Sequence, residues 1–231
     1  MIKMALFIGV LALLFSCTEG SDAKKTDSNA SMASYFYPKR DTAMIYCYRN
    51  IANGLDEEFH RVFSLKDSFE HIIVERYSSS KRFLEAFNYN AKSFEVVEHI
   101  VVNRYQEREI SKVYHNRFFP MDQQKQSYFA AKFTGINDST LILKENKRTF
   151  YKDTTFVHSN TKGVSARIFT DSIRQTLLNI VSKKERELSN VGYIHFAEGI
   201  GPVEWYGSSK KVHYKLEKVI SQKEWVRMMQ F

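Results

Sequence analysis

The chain of 231 residues is long enough for a signal segment, a tether and one domain with a buried core. Its composition, 43% apolar and 14% aromatic, excludes an intrinsically disordered protein. Basic residues number 34 and acidic ones 26, a net charge of +8 with the signs interspersed, which favours anionic lipid headgroups over nucleic acid as a partner. No glycine-rich nucleotide loop, zinc motif or serine-hydrolase motif is present, so we expect no cofactor, no metal and no catalytic residues.

Residues 1–16 have the organisation of a secretory signal peptide. The basic start MIK precedes twelve uncharged residues, 4–15, a stretch too short for a membrane-spanning helix of about twenty residues. The segment ends in LFSC, which resembles the lipobox of bacterial lipoproteins: a Leu at −3 and a small residue at −1 precede the Cys that is lipidated. The resemblance implies that Cys17 carries acyl chains such as palmitate and anchors the protein to a membrane.

Residues 17–33 are small and polar without periodicity, which predicts a flexible tether between Cys17 and a single domain over residues 34–231. Thr18 stands where an Asp would resemble an inner-membrane retention signal, so the resemblance implies the outer membrane. The whole segment is similar to lipoproteins of Bacteroidota, in which acidic residues close to the Cys can direct export to the cell surface. Both acidic residues and lysines follow the Cys here, so the choice between periplasmic and surface face stays open.

From residue 43 onward the apolar residues recur with period two, which predicts strands far more than helices. We predict strands over residues 43–50, 58–65, 71–77, 82–89, 94–105, 113–119, 128–133, 140–144, 149–157 and 212–218. The run 94–105 is apolar on both faces, so we expect a central strand that is covered on both sides. Segment 171–188 fits either a helix or a buried strand, and we favour the strand.

These strands, separated by polar turns, predict a mainly β fold. We expect an antiparallel meander that forms a sandwich or an open half-barrel, with at most one or two short helices, one of them over residues 222–229. If Cys17 is lipidated, Cys47 has no disulfide partner. It lies in an aromatic-rich strand, where a free cysteine usually behaves as a small buried hydrophobe.

Two glycine-containing segments predict chain reversals. The dipeptide Asn53-Gly54 tolerates the positive φ angles of a tight type I′ hairpin turn. Gly199 and Gly201, directly before Pro202, lie between two apolar alternating arms and predict a tight reversal or a bulge. Nucleotide binding by these two glycines is disfavoured, because a phosphate-binding loop needs a third glycine and a following helix.

The second reversal also carries a family resemblance. It is similar to the aromatic-x-x-Phe-Ala-x-Gly-x-Gly-x-Val hairpin of uncharacterised bacterial β-rich envelope proteins. The matching residues are Tyr193, Phe196, Ala197, Gly199, Gly201 and Val203. In that group a buried strand precedes the motif, which favours a strand over residues 176–181 and implies no activity.

The aromatic residues are the remaining functional signal. Tyrosine is amphipathic, so surplus tyrosines are candidates to line a concave face that binds a lipid, a glycan or a partner protein. The candidates are Tyr35, Tyr37, Tyr46 and Tyr48. No two of the seven histidines have a local zinc-binding spacing, which leaves only a site assembled across strands.

We therefore expect a non-enzymatic outer-membrane lipoprotein that binds a partner or assists assembly in the cell envelope. Two alternatives stay open: a carrier that shelters a lipid or acyl chain in a half-barrel, and an envelope hydrolase whose site is assembled across strands. The sequence does not choose the ligand or the pathway.

Overall fold

The structure is a computed structural model. It describes residues 31–65, 70–103, 105–121, 126–135, 139–157, 163–208 and 211–230. The predicted signal peptide, the lipobox with Cys17 and most of the predicted tether lie outside these residues. Within them the chain forms 13 strands, one turn of 3₁₀ helix and one α-helix. The fold class predicted from the sequence is confirmed, because the protein is mainly antiparallel β.

The elements follow one another along the chain as a 3₁₀ helix, thirteen strands and a helix. The 3₁₀ helix is Met32–Tyr35. The strands are β1 Met44–Asn50, β2 Glu57–Leu65, β3 His71–Tyr77, β4 Phe83–Asn90, β5 Val96–Val102, β6 Arg108–Ile110, β7 Lys112–Asn116, β8 Gln126–Thr134, β9 Thr140–Phe156, β10 Val164–Asn179, β11 Glu185–Ala197, β12 Gly201–Gly207 and β13 His213–Ser221. The helix α1 is Gln222–Met229, as the sequence predicted.

The described strands form one antiparallel sheet in the order β6-β5-β4-β3-β2-β1-β13-β12-β11-β10-β9-β8-β7. This is a meander whose two chain ends meet in the middle, because β13 pairs with β1. The edge strands β6 and β7 are consecutive in the chain. Between them the Ser111 amide donates to the His99 carbonyl on β5 at 2.8 Å, so the sheet curls into a nearly closed, barrel-like form.

Each strand divides its residues between the interior of the curled sheet and its outer surface. On β1, Tyr46 and Tyr48 belong to the large interior core, whereas Ile45 and Cys47 face outward. The outward pair is covered by α1, which places Trp225 against the same cluster. A capping box between Ser221 and Glu224 starts this helix directly after β13.

The ambiguous segment 171–188 forms the end of β10 and the start of β11, joined by a turn at residues 180–184, so the favoured strand is present. The expected buried strand over residues 176–181 needs correction, because it ends at Asn179 and is only half-buried. Strand β9, in contrast, is continuous where we predicted two strands with a break at residues 145–148. The break was wrong because Asn146 and Arg148 are polar but buried, and both contact Asp171 on β10.

Three other expectations need correction. Strand β5 lies next to the edge of the sheet and Val97 is half exposed, so a central strand covered on both faces is wrong. The connection between β1 and β2 is a six-residue loop, 51–56, instead of a two-residue turn. The side chain of Asn53 accepts from the next amides of that loop, and only Gly54 in it has a positive φ. The expected tether overlaps the fold at Met32, which is buried in the core.

Candidate functional site

The interior of the curled sheet encloses a cavity of about 280 Å³. Its wall includes the rings of Phe36, Tyr37, Phe87, Tyr89, Phe118 and Trp205. These rings come from β4, β12 and two segments outside the strands. A concave, mainly aromatic cavity with a few polar groups is the usual form of a small-molecule site.

The segment that follows the 3₁₀ helix closes one end of this interior. The Phe36 ring packs edge-on against Tyr89 and Phe119, with centroid distances of 5.0 and 5.1 Å. Phe94 adds a third contact at 4.9 Å. Aromatic pairs at these separations stabilise the core beyond the area that they bury. The N-terminal segment is therefore part of the cavity wall.

Part of the cavity lining is exposed to solvent. There the lining includes Asn190 and Gly207, together with Val212, which is 48% exposed. Strand β12 ends at Gly207, opposite Gly192, so the first part of β11 extends beyond its neighbour. The cavity therefore borders on exposed residues beside the end of β12.

Ionised side chains form a connected network beside the aromatic rings, and Arg76 and Lys144 of this network line the cavity. Arg76 on β3 contacts both Glu58 on β2, at 2.6 Å, and Glu85 on β4. Glu85 also pairs with the Lys144 ammonium group on β9 at 2.8 Å and contacts the ring of His99 on β5 at 3.0 Å. Because β4 and β9 are not neighbours in the sheet, the network links two sides of the interior.

A second ion pair lies on β9 and β10. The Arg148 guanidinium makes two bonds of 2.7 Å to the two carboxylate oxygens of Asp171. Its third nitrogen donates to the Phe118 carbonyl at 3.0 Å. Both side chains are almost fully buried, so this two-point geometry is needed to offset their loss of hydration.

The two histidines of the network, His60 beside Glu58 and His99 beside Glu85, are neutral at neutral pH. Burial lowers the pKa of His60, and its bond to Glu58 only partly opposes that effect. As a neutral ring it accepts from the Tyr37 hydroxyl at Nδ1 and donates to Glu58 at Nε2, where the distance is 2.7 Å. Burial likewise lowers the pKa of His99.

The carboxylates of the network are ionised. Burial alone would raise the pKa of Glu58, but the Arg76 guanidinium and the bond from His60 outweigh it and lower the value to about 2. For Glu85 the opposing effect of burial is outweighed by Lys144 and Arg76, and its pKa falls well below the ordinary value.

The four tyrosines predicted to form a binding face are not on an open surface. Tyr35, Tyr37, Tyr46 and Tyr48 are all buried in the interior core. The physical reason is that the sheet curls, so the face that would be concave and open is filled by its own side chains. Tyr37 alone of the four lines the cavity.

The predicted turn glycines lie at chain reversals. Gly199 is in the turn between β11 and β12 with φ +71°, and Gly201 begins β12 with φ +102°. A Cβ on Gly201 would come within 3.1–3.3 Å of Tyr37, whereas Gly199 has open space around it. Gly201 thus permits a close approach of the cavity-lining segment.

Cys47 is a free, buried thiol on the outer face of β1 under α1, away from the cavity. Burial raises its pKa to about 11. A reactive cysteine needs a lowered pKa, so this environment favours the packing role.

His195 on β11 and His213 on β13 share the carboxylate of Glu204 on β12, the strand between them. The His213 Nε2 lies 2.6 Å and the His195 Nδ1 3.4 Å from the two oxygens of Glu204. Over the described ranges, no group of three or more His, Cys, Asp or Glu side chains is arranged to hold a metal ion.

The sequence interpretation missed the charged network, although a signal for it exists. Glu85 alternates with Phe87 and Tyr89 on β4, and Arg148 alternates with Phe150 on β9. A charged residue on the apolar face of a strand predicts a buried, paired charge. The partner of each charge depends on which strands face each other, which periodicity does not reveal.

No family model matches the chain, and no curated protein matches it significantly. Two solved structures are similar to it. One is a protein of Bacteroides fragilis described as exported and as having a YmcC-like fold, with 14% identity, coverage of 80% of this chain and 99% of that chain, and a TM-score of 0.35. The other is described as a lipoprotein of Parabacteroides distasonis, with 12% identity, coverage of 80% and 98%, and a TM-score of 0.37.

Among the described residues, no helix has the length and the apolar composition needed to cross a bilayer.

Proposed function

We propose that this protein is an outer-membrane lipoprotein, anchored through acyl chains on Cys17, whose curled sheet binds a small, mainly apolar molecule. The observation that carries the proposal is the aromatic cavity of about 280 Å³ inside the sheet. Binding there leaves the bound molecule chemically unchanged. The protein then acts as a carrier or a sensor in the cell envelope.

The aromatic wall supports an apolar occupant. Its rings pack against other aromatic rings, for example Phe87 against Phe118, also on the wall, at 5.0 Å and against Phe129 of the core at 5.6 Å. This packing holds the wall in one shape, so little side-chain freedom is lost when a ligand enters. Each apolar contact then contributes to affinity in proportion to the area it removes from water.

The pairing of the charged groups supports a non-enzymatic role. Glu58, Glu85 and Asp171 each contact a guanidinium or ammonium group at 2.8 Å or less. A general base needs a pKa near the working pH and access to the substrate proton. Carboxylates held ionised by close cations are weak bases, and the Cys47 thiol is on the opposite face of the sheet.

The anchor is tested with the two cysteines of the chain. A Cys17→Ser variant should lose membrane fractionation and acyl labelling, because buried acyl chains contribute roughly 0.8 kcal/mol per CH₂. Cys47→Ser is the matched control and should keep both properties. Acyl labelling that persists in Cys17→Ser, or wild-type protein without any acyl label, would reject the anchor.

The cavity is tested on the mature chain, residues 17–231, with Cys17→Ser, which keeps every described contact. The probe is phenylnaphthylamine, an apolar dye whose fluorescence rises in apolar sites. Val62 and Val74 are opposite each other on β2 and β3, and Val74 lines the cavity whereas Val62 does not.

We expect wild-type protein to bind one dye molecule and Val74→Phe to lose most of that binding, because the added ring fills the cavity. Each substitution adds a ring to the packed core and should lower the free energy of unfolding by about 1–3 kcal/mol, but the Val62→Phe variant should still bind the dye. Equal dye binding by wild type and Val74→Phe, or none by either protein, would overturn the proposal.

A further inference from the structure

The charges around the cavity cancel. Three cations line it, and each has a carboxylate partner: Arg76 has Glu58 and Glu85, Lys144 has Glu85, and Arg148 has Asp171. The three cations therefore face three anions. Because both histidines of the network are neutral, the lining cations and their carboxylate partners together carry no net charge.

A charged ligand would disturb this balance. A carboxylate or phosphate placed in the cavity would lose its water shell and would meet cations that are already neutralised at 2.6–2.8 Å. An uncompensated charge in such an interior is costly. A neutral ligand avoids this cost and keeps the ion pairs intact.

Among the three cations on the wall, one has donor capacity left. The guanidinium groups of Arg76 and Arg148 are held by two or more acceptors each. The Lys144 ammonium has three hydrogens but donates to only one acceptor among the described residues, Glu85. It also lies 5.8 Å from the centre of the Phe87 ring. Lys144 can thus donate to a ligand without giving up its ion pair.

We infer that the cavity ligand is a neutral, mainly apolar molecule with a carbonyl or similar hydrogen-bond acceptor, and that Lys144 donates to this acceptor. The inference rests on the proposed function, since it specifies the chemistry of what the cavity binds. An acceptor aligned with Lys144 places the apolar body of the ligand among the aromatic rings. Lys144 would be the residue that selects this ligand over a plain hydrocarbon.

The test uses two dyes with the same ring system. One is a dimethylaminonaphthalene that carries a propionyl ketone, and the other has a carboxylate in place of the ketone. We expect the mature Cys17→Ser chain to bind the ketone at least about tenfold more tightly than the carboxylate, a difference of about 1.4 kcal/mol. If the carboxylate dye binds as tightly as the ketone dye, the inference is overturned. If phenylnaphthylamine still binds in that case, the proposed function is unaffected.

A Lys144→Met variant tests the contribution of this hydrogen-bond donor separately from that of the apolar wall. This variant should lower the ratio of ketone affinity to phenylnaphthylamine affinity about tenfold, and an unchanged circular dichroism spectrum shows that it is folded. Lys147→Met is the control, because Lys147 is exposed and does not line the cavity. If a folded Lys144→Met variant binds the ketone as tightly as the wild type does, Lys144 does not donate to the ligand and its proposed role is overturned. If none of the three dyes binds, the proposed function itself fails.

Discussion

Lys144 on β9 and Glu85 on β4 meet in the interior, with 2.8 Å between the Nζ and Oε2 atoms. The two strands are third from opposite edges of the sheet, so their residues meet only because the sheet curls. Glu85 is also the acceptor for Arg76 and His99. Glu85 therefore connects β3, β4 and β5, which are neighbours in the sheet, to β9, which faces them across the interior.

Removing this carboxylate should be more damaging than removing one of its cations. Glu85→Gln leaves Arg76 and Lys144 with one compensating charge fewer, and we expect a loss of about 3–5 kcal/mol in the free energy of unfolding. Lys144→Met leaves Glu85 with Arg76 and His99, so its loss should be smaller. Chemical denaturation of both variants measures the difference.

The control for Glu85→Gln is Glu57→Gln. Glu57 pairs with Arg49 at 3.5 Å on the exposed surface, and such pairs contribute about 0–1 kcal/mol. A Glu85→Gln variant as stable as Glu57→Gln would mean that the buried network contributes little.

The two glycines of the β11–β12 reversal should differ in their tolerance of a side chain. Both have positive φ angles, so either substitution with alanine strains the backbone by about 1–2 kcal/mol. Only Gly201 also approaches Tyr37, at 3.1 Å from the position of an added Cβ. We expect Gly201→Ala to lower the melting temperature more than Gly199→Ala, and Gly201→Val to lower it further.

Equal melting temperatures for Gly199→Ala and Gly201→Ala would show that Tyr37 moves away at little cost. In that case phenylnaphthylamine binding should change as well, because Tyr37 lines the cavity.

Acid should destabilise the fold in two steps. Burial lowers the pKa of His60 below its ordinary value of 6.5, so below that pH the unfolded chain binds a proton that the folded chain does not. Glu58 has a folded pKa of about 2 against an ordinary 4.5, so its contribution is present above 4.5 and is lost as the pH falls toward 2. Stability should therefore fall from about pH 6.5 downward.

Thermal unfolding of the mature Cys17→Ser chain across this range measures the effect. In His60→Gln the side-chain amide can replace both ring hydrogen bonds but does not titrate, so the upper step should shrink. His115→Gln, on the exposed strand β7, is the control and should leave the upper step unchanged. A His60→Gln profile that matches the wild type would assign the upper step to His99.

Cys47 should be unreactive until the protein unfolds. Its pKa of about 11 leaves almost no thiolate at neutral pH, and Trp225 of α1 belongs to the cluster that covers it. A thiol reagent should therefore label Cys47 at the rate of global or local opening, and Trp225→Ala should speed the labelling strongly. Rapid labelling of the native wild-type protein would contradict the packing of α1 on β1.

The sequence by itself determined the elements that depend on local pattern. Period-two alternation predicted most strands, and the limits of β3 and α1 match the prediction. Residues 171–179 were read correctly as strand with the help of the hairpin motif that follows, but the strand ends at Asn179 and not at residue 181. Local pattern suffices there because a strand shows its buried face in every second residue.

Only the tertiary structure decided which side chains lie inside the curled sheet. Periodicity shows that Tyr46 and Tyr48 share a face, but not that the sheet curls and buries that face. It marks Glu85 and Lys144 as charged, but not that β4 and β9 face each other across a cavity. These relationships depend on register and closure over many strands, and on the cost of an unpaired buried charge, which pairs residues that are 59 positions apart in the chain.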